Sequence, residues 1–175
     1  MRCKHCKDKF EPKQFNRKYC YKDDCNNAYF EWLKDQAIKK AQRKRTQYNK
    51  DTETVQQLMK RAQKVFNEFI RERDKGKKCI SCSNKLQGKF DAGHYVSSGS
   101  CKALTFDENN VHGQCVACNQ HKHGNLISYR EGLIERIGIV WVQHLELRRH
   151  DSIKYTRNEL QQIITEYKQK VKNLK

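Results

Sequence analysis

The pairs Cys79-x2-Cys82 and Cys115-x2-Cys118 enclose Asp91, His94 and Asn110, and Asn119 and His123 follow closely behind the last cysteine. Two residues between cysteines let both thiolates reach one tetrahedral ion, so this is zinc spacing. Cys3-x2-Cys6 with Cys20-x4-Cys25 repeats the logic near the start of the chain. The residues inside and just after the second set are those a metal-dependent phosphodiester hydrolase needs. Such an enzyme requires a base near neutrality to activate water, a cation to take developing charge on the phosphate, and a rigid frame holding both. His94 is the candidate base. Asn119 and His123, four residues apart, would share one face of a short helix and reach one divalent cation, magnesium or manganese. Asp91 offers a further hard oxygen ligand. The Asn110 amide would tie down the loop that orients His94. Taken singly, each of these residues reads as structural; between paired cysteines they read together as catalytic.

The elements that must position them are short. Residues 90–95 and 110–114 read as strands, and Ser97, Ser98, Gly99 and Ser100 form a loop between them. Residues 116–123 read as a helix stopped by Gly124. A regular pleat points Asp91 and His94 to opposite faces, so an Asp91 ligand requires a bulge, for which Gly93 is available. His112 and His121 fall off this constellation and are expected to be structural or to contact DNA.

Around this module, residues 1–30 read as a small four-cysteine zinc unit with Phe10, Phe15, Tyr19 and Tyr21 as a miniature core. From Asn26 to Lys75 there is neither glycine nor proline, and residues 31–75 are expected to be one long helical segment ended by Gly76. Its second half carries Leu58, Ala62, Val65, Phe66, Phe69 and Ile70 at helical spacing. Its first half carries Lys39, Lys40, Arg43, Lys44 and Arg45, which could be a solvated face or could track a DNA backbone. Residues 76–150 hold the metal-rich module, with helices following it around Leu126–Ile137 and Val140–Leu147. Residues 151–175 form a last basic helix opened by the capping box Thr156-Arg-Asn-Glu159. The expected fold is α+β and mostly helical: a zinc knuckle, a long helix, a zinc-braced strand–strand–helix metal finger and C-terminal helices.

Thirty-seven Lys and Arg against 20 Asp and Glu leave a net charge of +17 in 175 residues, which points to a polyanion, nucleic acid first. Nine cysteines could mean a secreted disulfide framework, but eight fall into zinc spacing and no apolar signal segment follows Met1, so a reducing cytosol is expected. Cys101 is left over as a free thiol. No stretch has the length and apolarity of a membrane span. A non-enzymatic zinc module that organises DNA would explain charge and cysteines equally well, though not the spacing of His94, Asn110, Asn119 and His123. RNA binding is a weaker alternative, since no aromatic stacking motif is recognised.

The runs Asp91-Ala-Gly-His94-Tyr, Phe106-Asp-Glu-Asn-Asn-Val-His112, Gln114-Cys-Val-Ala-Cys-Asn119 and His123-Gly-Asn125 resemble the HNH, or His-Me finger, nucleases. With Tyr129-Arg-Glu-Gly-Leu-Ile-Glu-Arg-Ile-Gly138 added, the chain resembles the NinG (Rap) recombination proteins of lambdoid phages, over most of its length. The resemblance implies a structure-specific endonuclease acting on branched DNA, such as Holliday junctions and D-loops, in the cytoplasm of a bacterial host. It assigns His94 as the base, Asn110 as the middle asparagine, and Asn119 with His123 as the metal positions beside two structural zinc ions. Many HNH enzymes place a His or Asp ligand directly before the base, where this chain has Gly93. A homodimer is expected by analogy, since a four-way junction offers paired cleavage sites.

Overall fold

The computed structural model describes the backbone of residues 1–175 and every side chain except that of Lys50. The architecture is mostly helical α+β, with five α-helices and one two-stranded sheet among the described residues. The chain divides into two compact units, Met1–Glu53 and Thr54–Lys175.

The first unit is a zinc-type knuckle running into helix α1, Asp23–Thr52. Cys3 N–H donates to the Asp8 carbonyl at 2.9 Å and Lys7 N–H to the Cys3 carbonyl at 3.1 Å. Lys7 is left-handed at φ 66°, which turns the chain sharply after Cys6. Tyr19, Tyr29 and Trp32 cluster where α1 begins, and Tyr29 and Trp32 stack at 6.1 Å. The expected miniature core is only partly realised. Phe10 and Tyr19 pack on the cysteines, whereas Phe15 is 96% exposed and Tyr21 39%. The aromatic positions near the helix start are taken by Tyr29 and Trp32 instead. Past Trp32, α1 is exposed along most of its length and has no continuous apolar face.

The expected single helix over residues 31–75 is divided. Thr54 is extended at φ −73°, ψ 160° and opens a second helix, α2, Val55–Asp74, through a capping box with Gln57. Thr54 N–H donates to Gln57 Oε1 at 2.7 Å, and Gln57 N–H to Thr54 Oγ1 at 3.2 Å. This reciprocal pair satisfies orphan amide donors, so a break needs neither glycine nor proline. The change in burial coincides with it: α2 buries Leu58, Ala62, Val65, Phe66, Phe69 and Ile70.

That stripe packs on Leu160, Ile164, Tyr167 and Val171 of the last helix, Arg157–Leu174, with Phe66 edge-on to Tyr167 at 4.8 Å. Strands β1, Phe90–His94, and β2, Val111–Cys115, pair antiparallel from Phe90↔Cys115 to His94↔Val111 with no bulge. Helices α3, Leu126–Ile137, and α4, Ile139–Leu147, meet at Gly138 (φ 85°) and cover a second core of Val96, Leu104, Tyr129, Leu133, Val142 and Leu145. α3 comes very close to the turn between Cys79 and Cys82: a Cβ at Gly132 would lie 1.8 Å from the Ile80 carbonyl oxygen. No helix among the described residues is long and apolar enough to cross a membrane.

Asp74, fully buried at the end of α2, joins helix to sheet. It accepts from Gly113 N–H at 2.8 Å, from Arg73 Nε and Nη2 at 2.9 Å, and from Lys77 Nζ at 2.9 Å. Arg73 also donates to the Val111 carbonyl at 2.8 Å. Although burial opposes it, these donors hold the Asp74 carboxyl well below its ordinary pKa. His112 beside them is depressed to about 3, by burial first and then by Arg73 and Arg136.

Both shifts work in one direction. Unfolded His112 takes up a proton near pH ~6.5 and the folded residue only near 3, so stability should fall as pH drops through that window. Asp74 adds a further loss once the pH falls below about 3.9. Urea midpoints against pH should show this slope, and His112→Gln should flatten it between about pH 6.5 and 4. Asp74→Ala should cost about 3–5 kcal/mol at neutral pH, because Arg73 and the Gly113 amide lose a buried partner.

Candidate active site

Each four-cysteine cluster is built from the same turn. Cys79-Ile-Ser-Cys82 repeats the knuckle of Cys3-Lys-His-Cys6: Cys79 N–H donates to the Asn84 carbonyl at 2.7 Å, Ser83 N–H to the Cys79 carbonyl at 3.0 Å, and Ser83 is left-handed at φ 58°. In each cluster one sulfur from every cysteine lies within 4.8 Å of all the others. Four thiol donors gathered this closely, each buried or half-buried, fit a closed tetrahedral zinc site. Burial, and after it the neighbouring thiols, push Cys25 and Cys118 up to about 12, so thiolates there need a cation as counter-charge. Cys115 ends β2, so the second cluster also pins one end of the sheet.

His94 closes β1 at the other end. Its Nε2 bonds the Thr105 carbonyl at 3.2 Å; the ring nitrogen facing a carbonyl must carry the proton, which leaves Nδ1 with the lone pair. Burial lowers the His94 pKa below the ordinary imidazole value, against the Thr105 and Ala92 carbonyls, which raise it. The ring is therefore neutral at pH 7. The loop behind it hangs on Asn110, which is fully buried. Its Oδ1 accepts from Val96 N–H at 2.8 Å, and its Nδ2 donates to the Val96 and Leu104 carbonyls at 2.9 Å. Tyr129 supports the strand end from α3: its hydroxyl donates to the Gly93 carbonyl at 2.7 Å and accepts from His112 N–H at 3.1 Å.

A cavity of about 700 Å³ opens beside His94 and is bordered by Asn119 and His123. These two are not on one helical face. The helix expected over 116–123 is a π-helical turn, Ala117–His121, and His123, Gly124 and Asn125 follow with φ of 47°, 88° and 44°. Consecutive left-handed residues reverse the chain, and the Gly124 amide closes the turn onto the Cys118 and Asn119 carbonyls. His123 is thus carried by the reversal rather than by the helix.

Asp91 stands apart from the cavity. With no bulge at Gly93, strand alternation turns Asp91 away from the face of Ala92 and His94. Gly93 serves a different purpose: a Cβ there would lie 2.2 Å from Gln114 Oε1. The Asp91 carboxylate accepts from Asn119 Nδ2 at 2.9 Å and from Gln120 Nε2 at 2.8 Å. It therefore fixes the Asn119 amide, whose Oδ1 is left free. The basic residues Lys39, Lys40, Arg43, Lys44 and Arg45 lie exposed on α1 in the first unit, where Lys39 pairs with Asp35 at 2.6 Å.

The cavity also borders residues that carried no motif. Gln63 and Asn67 reach it from α2, and Asn67 Oδ1 is buried without a hydrogen-bond partner. Two amide side chains spaced i, i+4 beside an apolar helical stripe were the available signal. Across the cavity, Arg130 Nε donates to Glu146 at 2.7 Å and Tyr95 Oη to the same carboxylate at 2.7 Å, with Arg149 nearby on the rim.

The family described as "Bacteriophage Lambda NinG protein" matches residues 1–175. The chain is 49% identical over 117 residues to "Protein ninG" of Salmonella phage P22, covering 67% of this chain and 57% of that protein. It is 46% identical over 117 residues to "Protein ninG" of Escherichia phage lambda, again covering 67% of this chain and 57% of the relative. The matched stretch thus spans little more than half the length of these relatives. No solved structure matches.

Elemental analysis of purified protein should find two zinc ions per chain. Cys82→Ala should lose one of them and lower the melting temperature by more than 10 °C, since a structural zinc supplies on the order of 10 kcal/mol to folding.

Proposed function

Since the chain belongs to the NinG family of lambdoid phages, we propose that it is a metal-dependent DNA endonuclease of the His-Me finger type that cuts branched DNA during phage recombination. The observation that carries this reading is His94: a neutral imidazole held through Nε2 by a backbone carbonyl, beside a cavity bordered by Asn119 and His123.

The donor set fits a hard or borderline divalent cation, magnesium or manganese. Asn119 Oδ1 and the His123 ring would hold it. When bound, the cation would stabilise charge on the scissile phosphate and the leaving oxygen. His94 Nδ1 takes the proton from the attacking water, and the Thr105 carbonyl keeps the ring from rotating away. The Ala92 carbonyl favours the imidazolium that results. Asn110 holds the loop and so holds the ring. Asp91 acts through Asn119 and does not itself hold the cation. Exposed lysines and arginines, including those of α1 from Lys39 to Arg45, supply phosphate contacts that give register and affinity without reading sequence. Preference for a branch would follow from the spacing of such surfaces.

Labelled four-way junction and linear duplex, with magnesium or manganese, test the reading directly. Wild-type protein should cleave the junction, and His94→Ala should lose at least about 100-fold in rate while binding it equally. Binding without cleavage by wild type in either metal would instead make this a zinc-braced DNA-organising protein. Because the lowered His94 pKa lies below ~6.5, cleavage should rise with pH below that point and level off by neutrality. Asp91→Ala should raise the cation concentration needed for half-maximal rate about tenfold, with junction affinity unchanged, and Asp91→Asn should recover part of it.

A further inference from the structure

The loop between the two cysteine pairs of the first unit carries an arrangement that zinc binding does not require. Phe15 is 96% exposed at its tip, and Gln14 and Asn16 on either side are exposed too. An isolated phenyl ring on a basic module would ordinarily fold back onto the nearest apolar surface.

The loop cannot let it do so, because it is anchored on both sides. Lys13 N–H donates to Tyr21 Oη at 2.6 Å. Arg17, only 6% exposed, donates to the Tyr19 and Cys20 carbonyls and to Asn26 Oδ1. Its guanidinium lies 4.4 Å from the Tyr21 ring centre and 4.3 Å from that of Tyr29. Asn16, left-handed at φ 61°, sets the turn between Phe15 and Arg17. The ring is therefore presented to solvent by a buried cation clamp, which lowers the entropy lost when it meets a partner.

The surroundings say what that partner is. Residues 1–22 contain eight Lys and Arg against two acidic residues, and one of the latter, Asp8, is paired with Lys22 at 2.7 Å. One phenyl ring among cations is too small an apolar patch for a protein interface. It matches the π-face of one nucleobase flanked by phosphates. That face is open only where the base has left a duplex stack, so the chemistry selects single-stranded DNA over linear duplex.

We propose that the Pro12–Lys18 loop is a single-stranded DNA contact, in which Phe15 stacks on an unpaired base while lysines of the same module engage its phosphates. The site lies wholly in the first unit and stands independently of cleavage at His94.

Anisotropy of a labelled oligothymidine of about 15 nucleotides tests it, with full-length protein in buffer free of magnesium and manganese. Phe15 buries almost nothing, so its truncation removes no packing. Phe15→Ala should weaken single-strand binding about tenfold, the loss of one stacked base, with an unchanged salt slope and unchanged affinity for linear duplex. Phe15→Trp should retain wild-type affinity. Irradiation of an oligonucleotide carrying 5-iododeoxyuridine should cross-link the peptide containing Phe15. Unchanged single-strand affinity in Phe15→Ala, an equal loss on duplex, or cross-links confined to the second unit would each overturn the proposal.

Discussion

A pair of antiparallel strands five residues long cannot support itself in water, and the second unit is arranged around that constraint. The four-thiol cluster pins the Cys115 end and leaves the His94 end to be held by other means. On one edge, the buried Asp74 carboxylate takes the Gly113 amide. On α3, the Tyr129 hydroxyl bridges the Gly93 carbonyl and the His112 amide. Beyond the strand end, Asn110 replaces a missing ladder with three side-chain hydrogen bonds. Each group is buried and satisfied, so each resists being moved.

The consequence is an imidazole on a rigid mount in an otherwise small protein. His94 is poised by local chemistry: its protonated nitrogen faces a carbonyl, and burial keeps the ring neutral. Asn119 is handled in the same manner by Asp91, whose carboxylate decides which end of the amide faces away. The basic surface acts over a longer range. A charge of +17 attracts anions in general and is screened by salt, whereas the hydrogen bonds behind His94 are not.

Much of this could be read from residue order, and the failures have identifiable causes. The cysteine spacings, the two strands, the apolar stripe of α2 and the glycine at the α3–α4 corner are local patterns with local physics. The break at Thr54 was equally local, written as Thr54-Val-Gln-Gln57, but was hidden by the absence of glycine and proline. Phe15 was assigned to a core on hydrophobicity alone; the Arg17 clamp that holds its loop outward depends on Tyr21, Tyr29 and Asn26, which come together only after folding. Asn67 and Gln63 had no motif because they reach the cavity from a helix far away in sequence.

Residue types and spacings by themselves determined which groups could bind metal, which could take a proton, that the chain carries a large positive charge, and that it belongs with the NinG proteins. Those properties rest on side-chain chemistry and on contacts a few residues long. Only the tertiary structure decided that Asp91 turns toward Asn119 instead of toward His94, that His123 arrives through a left-handed reversal, and that the cavity has walls from α2 and α3. A regular pleat with Gly93 pressed against Gln114 sets the first, and a chain pinned at Cys118 sets the second. Both depend on packing between segments remote in sequence, which no local pattern encodes.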